Sequence, residues 1–207
     1  MCSSDLESTL YAASSALTIA TAEIDKALVF RLSTAADAGL YGLAARVAQA
    51  AALPATALTN ALIPAMFRAH GARAALRVAR GALALGAATS AAGGVVLALG
   101  HSWVVPVFGA AFAESADLFL YLAPLPLLLT LRQFTFSAMT AMRRQPTRVV
   151  AECVLLAIGV AGLLVFVPKY GRDGAPIALL AAEGAGALVG ATWFALRLAG
   201  ERGVPGT

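Results

Sequence analysis

The chain has 207 residues, 60% of them hydrophobic and 13% charged, with a formal net charge of +4. A soluble domain carries about 25% charged residues, and one of this size has no interior large enough for so much apolar side chain, so an ordinary soluble fold is excluded. The positive charge does not indicate nucleic acid, because no Lys/Arg run is interleaved with aromatics and the basic residues collect where apolar blocks end.

In chain order, Met1-Cys2-Ser3-Ser4-Asp5-Leu6-Glu7 has neither a basic segment nor a small-residue cleavage site, so the first apolar block is expected to be a retained helix rather than a signal peptide. An α-helix needs about 20 apolar residues to cross roughly 30 Å of hydrocarbon. Six such blocks follow, at about 9–30, 38–63, 81–106, 118–140, 149–167 and 175–196. The expectation is an all-α integral membrane protein, a six-helix transmembrane bundle over residues 1–207 with short connections and no sizeable soluble domain.

In the first block Tyr11, Ser14, Thr18, Thr21 and Asp25 recur at steps of three or four and share one helix face, while Glu23 points away and Lys26 lies to its side. The second block repeats the pattern with Gly42, Arg46, Gln49, Thr56 and Asn60, and contains Pro54. The third carries Gly86, Gly93 and Gly94. The fourth carries Thr130, Gln133, Ser137 and Thr140, with Pro124 and Pro126 removing helix hydrogen bonds and predicting a kink. In the fifth, Glu152 lies close enough to the start to reach the interface beside Arg148, and Gly159 and Gly162 offer a small-residue face. The sixth holds Glu183, Gly184 and the Gly186-x-x-x-Gly190 spacing that lets helices approach closely.

Basic residues sort by side. Arg68, Arg73, Arg77 and Arg80 follow the second block, Arg143, Arg144 and Arg148 the fourth, and Arg197 and Arg202 the sixth, nine in all; the odd-numbered exits carry only Arg31, Lys169 and Arg172. The positive-inside rule then places a multi-pass protein in the cell membrane with both termini cytoplasmic.

Charge at mid-helix in a bilayer costs at least about 2.5–3.5 kcal/mol per residue, which singles out Asp25, Arg46, Arg132 and Glu183. Three polar-striped helices around a common space describe a water-filled lumen. Arg46 and Arg132 would make it cationic, with Gln49, Asn60 and Gln133 on its wall, and guanidinium forks suit phosphate oxygens. Asp25 and Glu183 would serve ion coupling, or would simply pair with Arg46 and Arg132 to hold helices together; spacing cannot choose between these roles.

No nucleophile elbow, Gly-rich phosphate loop or carboxylate pair on a water-facing loop occurs, so no catalytic residue, enzyme activity or cofactor is expected. Cys2 and Cys153 have no C-x-x-C partner and the histidines, His70 and His101, no ligand spacing, so no metal site is expected either.

Ile24-Asp25-Lys26-Ala27-Leu28-Val29-Phe30-Arg31-Leu32 followed by Ala38-Gly39-Leu40-Tyr41-Gly42-Leu43-Ala44-Ala45-Arg46 resembles the polysaccharide biosynthesis family of Wzx-type flippases. The likeness continues through Ala61-Leu62-Ile63-Pro64-Ala65-Met66, Val107-Phe108-Gly109, Ala141-Met142-Arg143-Arg144-Gln145 and Pro168-Lys169-Tyr170-Gly171 to Gly174-Ala175-Pro176. It implies one six-helix lobe of a two-lobe transporter related to lipid II flippases and multidrug exporters, moving a polyprenyl-pyrophosphate-linked oligosaccharide to the outer leaflet by alternating access. The family has 12 or 14 spans and the match falls on its second lobe. The resemblance therefore implies membrane lipids and either an upstream first lobe or a homodimer partner, with truncation upstream the preferred expectation. The alternatives are a drug or cation exporter of the same superfamily and a non-transporting scaffold.

Overall fold

The computed structural model describes residues 3–68, 72–141 and 144–202. Every regular element among them is helical: α1 Ser3–Leu32, α2 Ala35–Arg68, α3 Ala72–Gly100, α4 Val104–Phe108, α5 Ala116–Tyr121, α6 Leu125–Ala141, α7 Gln145–Tyr170 and α8 Gly174–Arg202, with short 3-10 turns between some of them. Ala- and Leu-rich stretches favour this outcome, and α2 stays helical through Pro54 and Pro64.

Two continuous helical stretches, Arg80–Phe108 and Gln145–Leu196, are long and apolar enough to cross a membrane. A third arises if Ala110–Tyr121 and Leu125–Thr140, bent by 53° at their junction, count as one span. The 52-residue stretch is folded back at the turn Gly171–Asp173, so that α7 and α8 lie against each other. The expected kink in the fourth block is the 53° bend between Tyr121 and Leu125. Leu122 closes α5, and Pro124, which has no N–H to donate, stands just before α6.

The turn from α1 to α2 is closed by side chains. Thr34 Oγ1 accepts the Asp37 N–H at 3.1 Å, and the Asp37 carboxylate accepts the hydroxyls of Thr34 at 2.8 Å and Ser33 at 2.5 Å, a reciprocal cap on α2. At the other bend, Gly171 has φ +62° at the end of α7, a positive-φ conformation that glycine adopts at little steric cost.

α2 lies between α3 and α6, α7 lies between α1 and α8, and α6 joins the two groups by contacting α2, α3 and α8. The main apolar core draws on both groups through Val29, Tyr41, Ala44, Ala48, Leu118, Leu122, Leu125, Leu163, Val167 and Ala178. Glycines set the closest approaches. A Cβ at Gly93 would stand 2.6 Å from the Ala51 carbonyl oxygen of α2, and one at Gly190 would stand 2.0 Å from Thr135 Oγ1 of α6. Large apolar side chains such as Val96, Leu99, Val150, Val165, Leu188 and Leu196 remain on the outside.

Candidate functional site

Between α1, α2, α6 and α8 lies a cavity of about 280 Å³. α1 contributes Thr18, Thr21 and Asp25, α2 contributes Gln49, Ala52, Leu53 and Thr56, α6 contributes Leu125, Leu129, Arg132 and Gln133, and α8 contributes Leu179 and Glu183. The three-to-four-residue steps on α1 and α2 put these polar groups on one face of each helix. Across the cavity the Thr56 hydroxyl donates to Gln133 Oε1 at 3.3 Å.

Its charged groups are held individually. Arg132 Nε donates to Glu183 Oε2 at 2.5 Å, and the two side chains are only 13% and 5% exposed. The guanidinium also lies over the Phe136 ring, 5.7 Å from its centroid. Asp25 is buried; its Oδ2 accepts the Tyr41 hydroxyl at 2.6 Å, and its Oδ1 accepts the Lys26 backbone N–H at 2.7 Å and faces Lys26 Nζ at 3.4 Å. The cavity wall thus carries two carboxylates, Asp25 and Glu183, and one guanidinium, Arg132, and it is not the cationic lumen expected from sequence.

Arg46 is the main reason. It does not share the cavity with Arg132 and it does not pair with Asp25. It is exposed and lines a separate open groove of about 530 Å³ with Lys26, Phe30, Gly39, Gly42 and Phe112. The two spaces follow one another along α2, residues 39, 42 and 46 lining the groove and residues 49 to 56 the cavity. On α1, consecutive residues divide between them, Asp25 into the cavity and Lys26 into the groove. Asn60 is a second correction: one turn beyond Thr56, it is exposed and does not line the cavity.

The polar stripe of the fourth block is divided as well. Thr130 turns towards α3, its hydroxyl 2.5 Å from that of Ser90; Gln133 reaches the cavity; Thr140 meets the start of α7, where Arg148 Nη1 donates to it at 2.8 Å. A single face wide enough for all three is shared among three neighbours because α6 is the central helix. The side chains of Tyr11 and Ser14 lie outside those described, as do His70, Cys2 and Arg143. Cys153 is free and exposed, His101 is exposed, and no cluster of metal-ligating side chains occurs among the described residues.

Beyond the helices, Arg172 donates to Glu114, and the Glu114 bond is the main reason its guanidinium is held even more firmly protonated than usual. Asp37, capped by Ser33 and then Thr34 and helped by the field of Arg172, has its carboxyl held below the usual range. These contacts were not read from sequence, since they join three separate turns.

A scan against protein-family models matched no family, and searches of curated proteins and of solved structures found no similar protein.

Proposed function

We propose that this chain is a six-span lobe of a membrane transporter that flips polyprenyl-pyrophosphate-linked oligosaccharide for cell-surface polysaccharide synthesis. The observation that carries the reading is Arg46. It makes no hydrogen bond or ion pair among the described residues and stands about 16 Å along α2 from Ala35 at 1.5 Å per residue, a depth that would fall inside the bilayer core if α2 spans it. A cation at that depth requires water or an anion. The open groove around it, with Lys26 beside it and Phe30 and Phe112 on its walls, suits a pyrophosphate joined to an apolar chain.

The adjoining cavity supplies neutral donors and acceptors, Gln49, Gln133, Thr18, Thr21 and Thr56, suited to sugar hydroxyls, and the Asp25 and Glu183 carboxylates suited to ion coupling. A second lobe, in the same polypeptide or in another copy, would close the groove. The cargo class rests on the sequence resemblance together with this placement of a free guanidinium.

One observation favours a cation exporter instead: the excess of carboxylate over guanidinium in the cavity. The test expresses the full-length protein in cells lacking it and follows surface polysaccharide. Arg46→Ala should reduce export about tenfold or more with membrane insertion unchanged, the scale of a lost charge-assisted phosphate contact. Normal export by a well-expressed Arg46→Ala protein, with cells lacking the gene more sensitive to cationic dyes, would select the exporter.

A further inference from the structure

The outer face of α1 and α2 exposes an acid and a base at one level. On α1 the Glu23 side chain is 63% exposed and faces Lys26 Nζ of its own helix at 3.6 Å; on α2 Arg46 is exposed. The two helices run antiparallel from the short turn at residues 33–34. At 1.5 Å per residue, Glu23 lies about 14 Å from the end of α1 and Arg46 about 16 Å from the start of α2. Nearer the turn is a second match, of shape. Phe30 is 57% exposed about 3 Å from the end of α1, and Gly39, where a Cβ would meet nothing within 4 Å, lies about 6 Å from the start of α2.

A two-fold axis along the membrane normal keeps each residue of a second copy at its own level and sets α1 of each copy against α2 of the other. Glu23 of the second copy then meets Arg46, Arg46 of the second copy meets Glu23, and each Phe30 ring enters the open space over Gly39 and Gly42 of the facing helix. We propose that this face binds a second copy of the chain, forming a symmetric dimer joined by two reciprocal Glu23–Arg46 ion pairs.

Charged side chains within a spanning segment face a partner or water rather than lipid. A second copy is the partner because the face complements itself in sign and in shape at matching levels. A groove built for an anion alone gains nothing from an exposed carboxylate next to Lys26 on its wall. The dimer rests on the transport reading and supplies its second lobe. Glu23 of the second copy is the counter-ion of Arg46 while the groove is empty, and the anionic cargo takes its place.

The test uses the full-length protein with its native cysteines changed to serine, expressed as two differently tagged copies, one Glu23→Cys and the other Arg46→Cys. A short bifunctional thiol reagent should join the two tags at least about fivefold more than when both copies carry Glu23→Cys, as a two-fold contact requires. In liposomes, with the dimer read by energy transfer between labelled copies, Glu23→Arg or Arg46→Glu alone should weaken association at least about tenfold. The two together should restore it, because the pair re-forms with its signs exchanged. No cross-link between the tags, equal cross-linking of two Glu23→Cys copies, or a double variant that stays apart would each overturn the proposal. So would a cross-link from position 23 to another part of the same polypeptide or to a different protein. A monomer that exports polysaccharide would overturn the dimer and leave the transport reading standing, whereas a cross-linked dimer in cells whose export does not need the protein would do the opposite.

Discussion

A guanidinium and a carboxylate buried together are stable only as a pair, because each alone would carry an uncompensated charge into an apolar interior. Arg132 and Glu183 are such a pair, 13% and 5% exposed and bonded at 2.5 Å. Arg132→Ala should therefore destabilise the protein by about 3–5 kcal/mol, whereas Arg132→Met with Glu183→Leu should be near neutral, since removing both partners leaves nothing unpaired. Thermal unfolding in detergent checks this: a double variant melting below the single one would show that the pair is not what matters. Sequence named both residues as candidates for pairing, and equally named Arg46 with Asp25. Only the first pair forms, because Tyr41 and Lys26 already occupy the Asp25 carboxylate.

At the level of helices, small residues matter where a neighbour's backbone comes close and are replaceable where it does not. Gly93 faces the Ala51 carbonyl, and a Cβ there would stand 2.6 Å from the oxygen, a contact that no side-chain rotation relieves. Gly93→Ala should cost about 1–3 kcal/mol through overpacking. Gly184→Ala has nothing within 4 Å to meet and should be neutral or slightly stabilising, since alanine is the better helix former by about 0.5–1 kcal/mol. Equal melting temperatures for the two variants would count against the α2–α3 contact. Both glycines looked alike in the sequence; the difference between them is made by the neighbouring helix.

Across the whole molecule, three turns are joined on one side by Arg172, which bonds Glu114 and acts on Asp37. The Asp37 carboxyl is lowered by its Ser33 and Thr34 hydrogen bonds, so its contribution is present above the ordinary aspartate pKa of about 4 and is lost as pH falls through the depressed value. A melting temperature that drops below pH about 4 should lose part of this acid sensitivity in Asp37→Asn, measured by scanning calorimetry in detergent. Because Asp37 is only partly buried, the change should be small. An unchanged acid limb in the variant would assign the drop to other carboxylates.

The amino-acid sequence by itself determined the helical class, the proline bend before Leu125 and the polar faces of α1 and α2, because these depend on composition, on the missing proline N–H and on a 3.6-residue period within one segment; of the six apolar blocks, two or three are long and apolar enough in the fold to cross a membrane. It also identified Arg132, Glu183, Asp25, Gln49 and Gln133, which the cavity brings together. Only the tertiary structure decided how those faces are shared. Arg46 went to a separate groove because α1 sends Asp25 to one space and Lys26 to the other, and Asn60 lay beyond the cavity. Glu152 was buried rather than drawn to the interface because Thr18 of α1 and Arg148 close over it. Each of these outcomes depends on which helix lies alongside, and at what depth, and neither is written in the spacing of residues along a single helix.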